Sequence, residues 1–159
     1  MDTVIIFGIQ VTLSIIAYAI LAKWYLAPWL ANKTIHMALI LLIIPHTLRH
    51  IGLTFFVPGV VAETMPDYFA NSVAFGDLIS GLLAILCLIA LKKGWRMALL
   101  LVWIFNIFGT VDLLNAMSDV NIPAKLGATW FIPTFWVPFL LVTHFMIFVR
   151  LFKRGRSSS

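Results

Sequence analysis

Apolar residues in this chain fall into five long runs separated by short polar breaks. The runs cover about 3–26, 34–57, 69–91, 95–117 and 127–151, with ends placed to within two to four residues. Each is a largely uninterrupted apolar stretch. Each also reaches the roughly 20 residues needed to cross a hydrocarbon layer about 30 Å thick. The breaks are short, so consecutive helices should be antiparallel neighbours. The pattern predicts an all-α, polytopic integral membrane protein. One five-helix transmembrane domain fills residues 1–151, and a basic cytoplasmic tail over 152–159 reads as a frayed end.

Polar residues interrupt these runs where they are least expected. His46, Arg49, His50, Asp77, Asp112 and His144 are ionisable and lie inside the runs, and Asn106 and Asn115 add amides. A charge at the centre of a membrane helix costs about 2.5–3.5 kcal/mol on insertion scales, so such residues face the interior, pair, or line a wet cavity. Counting about 1.5 Å per residue from the ends of the runs brings Arg49, His50, Asp77 and Asp112 to one level in the outer half. His46 and Asn106 fall just below that level, and Asn115 lies in the outer half of its own span. In an α-helix, His46, Arg49 and His50 share a face at i, i+3 and i+4. Pro45 should kink that helix. Ser72, Gly76, Ser80 and Ala84, at steps of four, form a small-residue stripe permitting close packing beside Asp77. Asn106, Gly109, Asp112 and Asn115, at steps of three, make a polar ridge. Pro133 and Pro138 should bend the fifth helix.

Composition sharpens the picture. Of 159 residues 62% are apolar and 11% charged, against roughly 25% charged in soluble domains, and mean hydropathy is +1.05. Nine basic residues (Lys23, Lys33, Lys92, Lys93, Arg96, Arg150, Lys153, Arg154, Arg156) lie on one side of the five runs and only Lys125 on the other. By the positive-inside rule the N-terminus is outside and the C-terminus in the cytoplasm, as a multi-pass protein of the cell membrane. The net charge of +5 is thus an orientation signal; the basic residues form no patch among aromatics, which argues against nucleic acid. Ala17-Tyr18-Ala19 resembles a leader cleavage site, but the segment before it carries Asp2 and no basic residue, so the first run is expected to remain as a span. Cys87 is the single cysteine, which excludes an internal disulfide and dithiol redox chemistry.

Three classes of function fit these residues. The first is binding or transport of a small molecule or coupled proton at His46, Arg49, His50, Asp77, Asn106, Asp112 and Asn115. A kinked helix, a buried cation and paired carboxylates suit an anion or a proton relay, with His50 titrating near neutral pH. The second is a haem- or quinone-associated electron-transfer subunit, with His46 and His144 as axial haem ligands from facing helices. The third is an enzyme acting on a lipid-like substrate, with Asp112 or His50 as base and Arg49 holding an anionic head group. A metal ion between His46 and His50 is disfavoured by Arg49. No doubled-aspartate diphosphate motif, glycine-rich phosphate loop or serine–histidine–acid set is present. The expected partners are the lipid bilayer, a small anionic or apolar ligand, and either a second copy or a larger membrane complex. In size, number of spans and tryptophan content the chain resembles the translocator-protein family of five-helix cholesterol and porphyrin binders. It lacks that family's Trp-Pro-rich signature in spans one to three, so the likeness assigns no residue a role.

Overall fold

The computed structural model describes the backbone of residues 2–157 and the side chains of residues 2–153. Within them the chain is helical with no strand, and five helices are long and apolar enough to cross a membrane: Thr3–Ala31, Ile35–Phe56, Asp67–Lys93, Ala98–Ala116 and Gly127–Lys153, here called spans one to five. The last helix runs on to Ser157, so the tail expected to fray after 151 is helical through Ser157, while residues 158–159 lie outside the described residues.

Span one contains Pro28 and span five contains Pro133 and Pro138, and Pro28 and Pro138 are absorbed in the same way. Proline at position i has no N–H and its ring collides with the carbonyl of i−4. Before Pro28 the helix widens to a π turn at Ala22–Leu26, and before Pro138 it widens at Ile132–Trp136. A wider turn moves the offending carbonyl aside without ending the helix. This is why span one continues to Ala31 instead of stopping near residue 26.

Span two departs furthest from expectation. It starts as an α-helix at Ile35–Ile43, capped by the Thr34 hydroxyl accepting from the Met37 amide at 3.3 Å. At Ile44, next to Pro45, it tightens into a 3-10 helix that runs to Phe56. Runs of this kind rarely exceed three or four residues. Here the side chains of Thr47 and Thr54 each donate to the carbonyl three residues back, both at 2.8 Å. The segment packs along span three, close enough that even a Cβ added at Gly81 would meet the backbone of His46, Thr47 and His50 in ordinary van der Waals contact.

Core packing divides the bundle into two unlike halves. At the end bearing Lys92, Lys93 and Arg96, residues such as Leu39, Leu42, Ile43, Cys87, Val102 and Ile147 form a closed apolar core. At the other end Phe55, Met65, Phe69, Ile122 and Leu126 pack beneath two loops. Those loops are tied together by backbone hydrogen bonds, Ala62 N–H to the Lys125 carbonyl at 3.0 Å and Ala128 N–H to the Val60 carbonyl at 2.8 Å. Gly127 adopts φ +53 against Val60, a conformation only glycine takes readily. Span one stands at the periphery, with Tyr18 against Phe135 and Phe139 of span five.

Candidate functional site

Three residues per turn bring every third side chain of span two into register. His46, Arg49, Gly52 and Phe55 therefore form one buried row. Arg49 is fully buried. Its Nε and Nη2 both donate to Asp77 Oδ1 at 2.7 Å, Nη2 also meets Asp112 Oδ2 at 2.5 Å, and Nη1 donates to the Gly109 carbonyl at 3.2 Å. Among the described residues these are the only ion pairs, and they join spans two, three and four. Charge-assisted contacts to a fork of fixed geometry are the strong class of hydrogen bond.

Three glycines make this convergence sterically possible. A Cβ on Gly52 would collide with the Asp77 side chain, and one on Gly76 would overlap the Asp112 carboxylate. One on Gly109 would lie 2.8 Å from His144 Nε2 and 2.9 Å from Arg49 Nη1. Each member of the ion cluster thus occupies space that a neighbouring helix has left empty.

Beside the cluster sits a pair of histidines. His46 and His144 are fully buried, with ring centroids 4.2 Å apart. The Thr143 hydroxyl donates to the Leu140 carbonyl at 2.9 Å, so it accepts from His46 Nε2–H at 3.0 Å. The Asn106 amide donates to the His144 carbonyl at 3.2 Å, so its oxygen accepts from His144 Nδ1–H at 2.7 Å. These bonds assign one neutral tautomer to each ring. They leave His46 Nδ1 and His144 Nε2 without a protein partner, and Ser80 Oγ is a third such buried atom. Axial ligation of one haem would hold the two coordinating nitrogens about 4 Å apart with the macrocycle spread between the rings. Two imidazoles in direct contact leave no slot for it, so the His46–His144 haem site does not fit.

Two expected members are absent from the cluster. His50 is exposed, with Nδ1 3.1 Å from the Thr47 carbonyl. An α-helix turns four residues through about 40° beyond a full circle, but a 3-10 helix turns them through about 120°, which carries His50 off the row. Asn115 is also exposed. Nine residues of α-helix separate it from Asn106, a rotation of about half a circle, so steps of three wind around the helix instead of staying on one face. Ser72 is exposed for a similar reason, while Gly76, Ser80 and Ala84 are buried. Conversely Thr143 and Gly52 belong to the site although the sequence did not single them out, while His144 was expected only as a haem ligand and Ser80 only in the packing stripe. His144 lay at nearly the depth of His46, and that was the signal available.

A cavity of about 30 Å3 reaches Asp77 and Asp112 from the loop end, walled by Phe55, Phe69, Leu113 and Ile122, with Asp119 at its outer side. On the usual scale of about 10–15 Å3 per water, it has room for two or so. Asp119 accepts from the Tyr68 hydroxyl at 2.7 Å and from the Asn121 amide at 2.9 Å, and these bonds, Tyr68 first, hold its carboxyl below the ordinary value.

Five membrane-length helices around a buried guanidinium shared by two carboxylates define an all-helical protein with a polar centre. Residues 6–152 match the profile of a family described as "Domain of unknown function (DUF8737)", and the chain belongs to that family. No curated protein and no solved structure matches it.

Proposed function

We propose that this is a multi-pass protein of the cell membrane, N-terminus outside and C-terminus in the cytoplasm, that takes up and releases a proton at Arg49–Asp77–Asp112, coupled to binding or passage of a small solute entering from the loop end. The supporting observation is a charge count in a confined space. Two carboxylates meet one wholly buried guanidinium, and a water-sized cavity touches both carboxylates. Fully ionised, the trio carries one surplus negative charge, which is expensive at low dielectric. One proton shared between Asp77 and Asp112 neutralises it, as paired carboxylates do elsewhere. Bare nitrogens on His144 and His46 continue the polar path inward, and Asp119 stands at its outer mouth.

The test is proton movement in liposomes containing the purified protein and a trapped pH-sensitive dye. Wild type should acidify the lumen after an external pH step, and Asp112→Asn should not while keeping its elution volume and helicity. His50→Ala, off the row, should behave as wild type. Equal dye signals from wild type and Asp112→Asn, with only a lower melting temperature in the variant, would leave the trio a static latch among three helices and sink the reading.

A further inference from the structure

Away from the polar centre, spans one and five enclose a second kind of site. Between them runs a groove of about 630 Å3, within the roughly 300–1,000 Å3 of small-molecule sites. Span one contributes Ala19, Ala27 and Ala31, whose short side chains leave a trough, and span five faces it with Phe145, Met146 and Val149. Lys23 follows Ala19 along span one, and Arg150 and Lys153 come last along span five, so the cations line the half of the groove nearer Ala31 and leave the half at Ile15, Ala19 and Leu141 apolar. Arg150 is half-buried and donates to the Ala27 carbonyl at 3.4 Å, close to Pro28. The six side-chain carboxylates are Asp2, Glu63, Asp67, Asp77, Asp112 and Asp119. None belongs to this half, and none of these three cations has an ion-pair partner among the described residues.

We infer that this groove binds an anionic phospholipid, with the acyl chain along the alanine trough and the phosphate against Lys23, Arg150 and Lys153. Charge and shape argue together. A soluble anion would meet the three cations but leave the apolar trough unused. A zwitterionic lipid would fill the trough but bring no net charge to the cations. Basic residues at the cytoplasmic ends of adjoining helices are placed where acidic head groups lie, and aliphatic stems of lysine and arginine can cover apolar surface while their heads reach the interface. Such a lipid would also bond span one to the bundle, since its membrane-length window is otherwise unburied. The inference rests on membrane insertion but not on proton exchange at Arg49.

Native mass spectrometry of the protein released from nanodiscs of equal phosphatidylglycerol and phosphatidylcholine tests it. Phosphatidylglycerol should remain bound in preference to phosphatidylcholine. Each single alanine substitution at Lys23, Arg150 or Lys153 should lower that ratio about fivefold. Lys92→Ala with Lys93→Ala and Arg96→Ala removes three times the charge of any one of these and should leave the ratio unchanged. Ala19→Leu with Ala27→Leu fills the trough and should abolish retention with all three cations in place. Equal loss from both sets of charge variants, or retention in the filled-trough variant, would overturn the site. Alkaline extraction of cell membranes, done first, reports insertion separately, so absent lipid preference in an inserted protein counts against the groove alone.

Discussion

Arg49 carries five N–H groups into a place with no exposure to solvent, and its neighbours are arranged to receive them. Removing it strands two carboxylates, so Arg49→Leu should cost about 3–5 kcal/mol of stability, read as a drop in melting temperature in detergent. Replacing Arg49, Asp77 and Asp112 together by leucine should recover most of that loss, since an apolar core can match a buried ion network. Glycine positions follow the same logic. Gly52→Ala or Gly76→Ala forces an aspartate side chain aside and should cost about 1–3 kcal/mol by overpacking. Gly8→Ala, with open space around it, should be close to neutral in the same melts. The common depth of Arg49, Asp77 and Asp112 was legible from helix rise alone. Gly52 was not, because the need for a missing Cβ exists only once Asp77 is beside it.

Helix winding decides what sequence periodicity can tell. The α spacing of His46 and His50 is correct arithmetic for a helix that span two does not form there. The signal for the tighter turn was slight: Pro45 marks where it begins, and Thr47 and Thr54 can cap carbonyls three residues back. Spans three, four and five were legible almost to their ends because their apolar runs exceed any ambiguity of winding. A cysteine scan of 46–56 in a Cys87→Ala background, each site carrying a spin label, should give protection at 46, 49, 52 and 55. A period of 3.6, with 50 and 53 protected, would show an α-helix instead.

Seen whole, the bundle joins a dry half to a half with a polar centre under tied loops. The loop end has its own pH sensitivity. Asp119 is held below its ordinary value chiefly by the Tyr68 hydroxyl, so its contribution is present above the unfolded carboxyl value and fades as pH falls through the folded one. Tyr68→Phe should therefore lower the melting temperature at neutral pH and have no effect once Asp119 is protonated in either state. Which end faces the cytoplasm was read from charge alone, and accessibility of an epitope tag appended after residue 159 in intact and opened cells tests that orientation.

The tight winding of span two also settles a matter of height. Nine residues at 1.5 Å and thirteen at about 2.0 Å span about 40 Å, nearly the same as the 27 residues of span three at 1.5 Å each. A shorter stretch of chain thus stands as tall as its longer neighbour. Let out to an ordinary pitch, it would fall about 6.5 Å short. The shortfall would have to come from one end or the other: the 57–66 loop would be drawn down over the cavity, or Arg49 would slide past its two aspartates. The pitch of one helix and the closure of the site at its end are, mechanically, a single dimension.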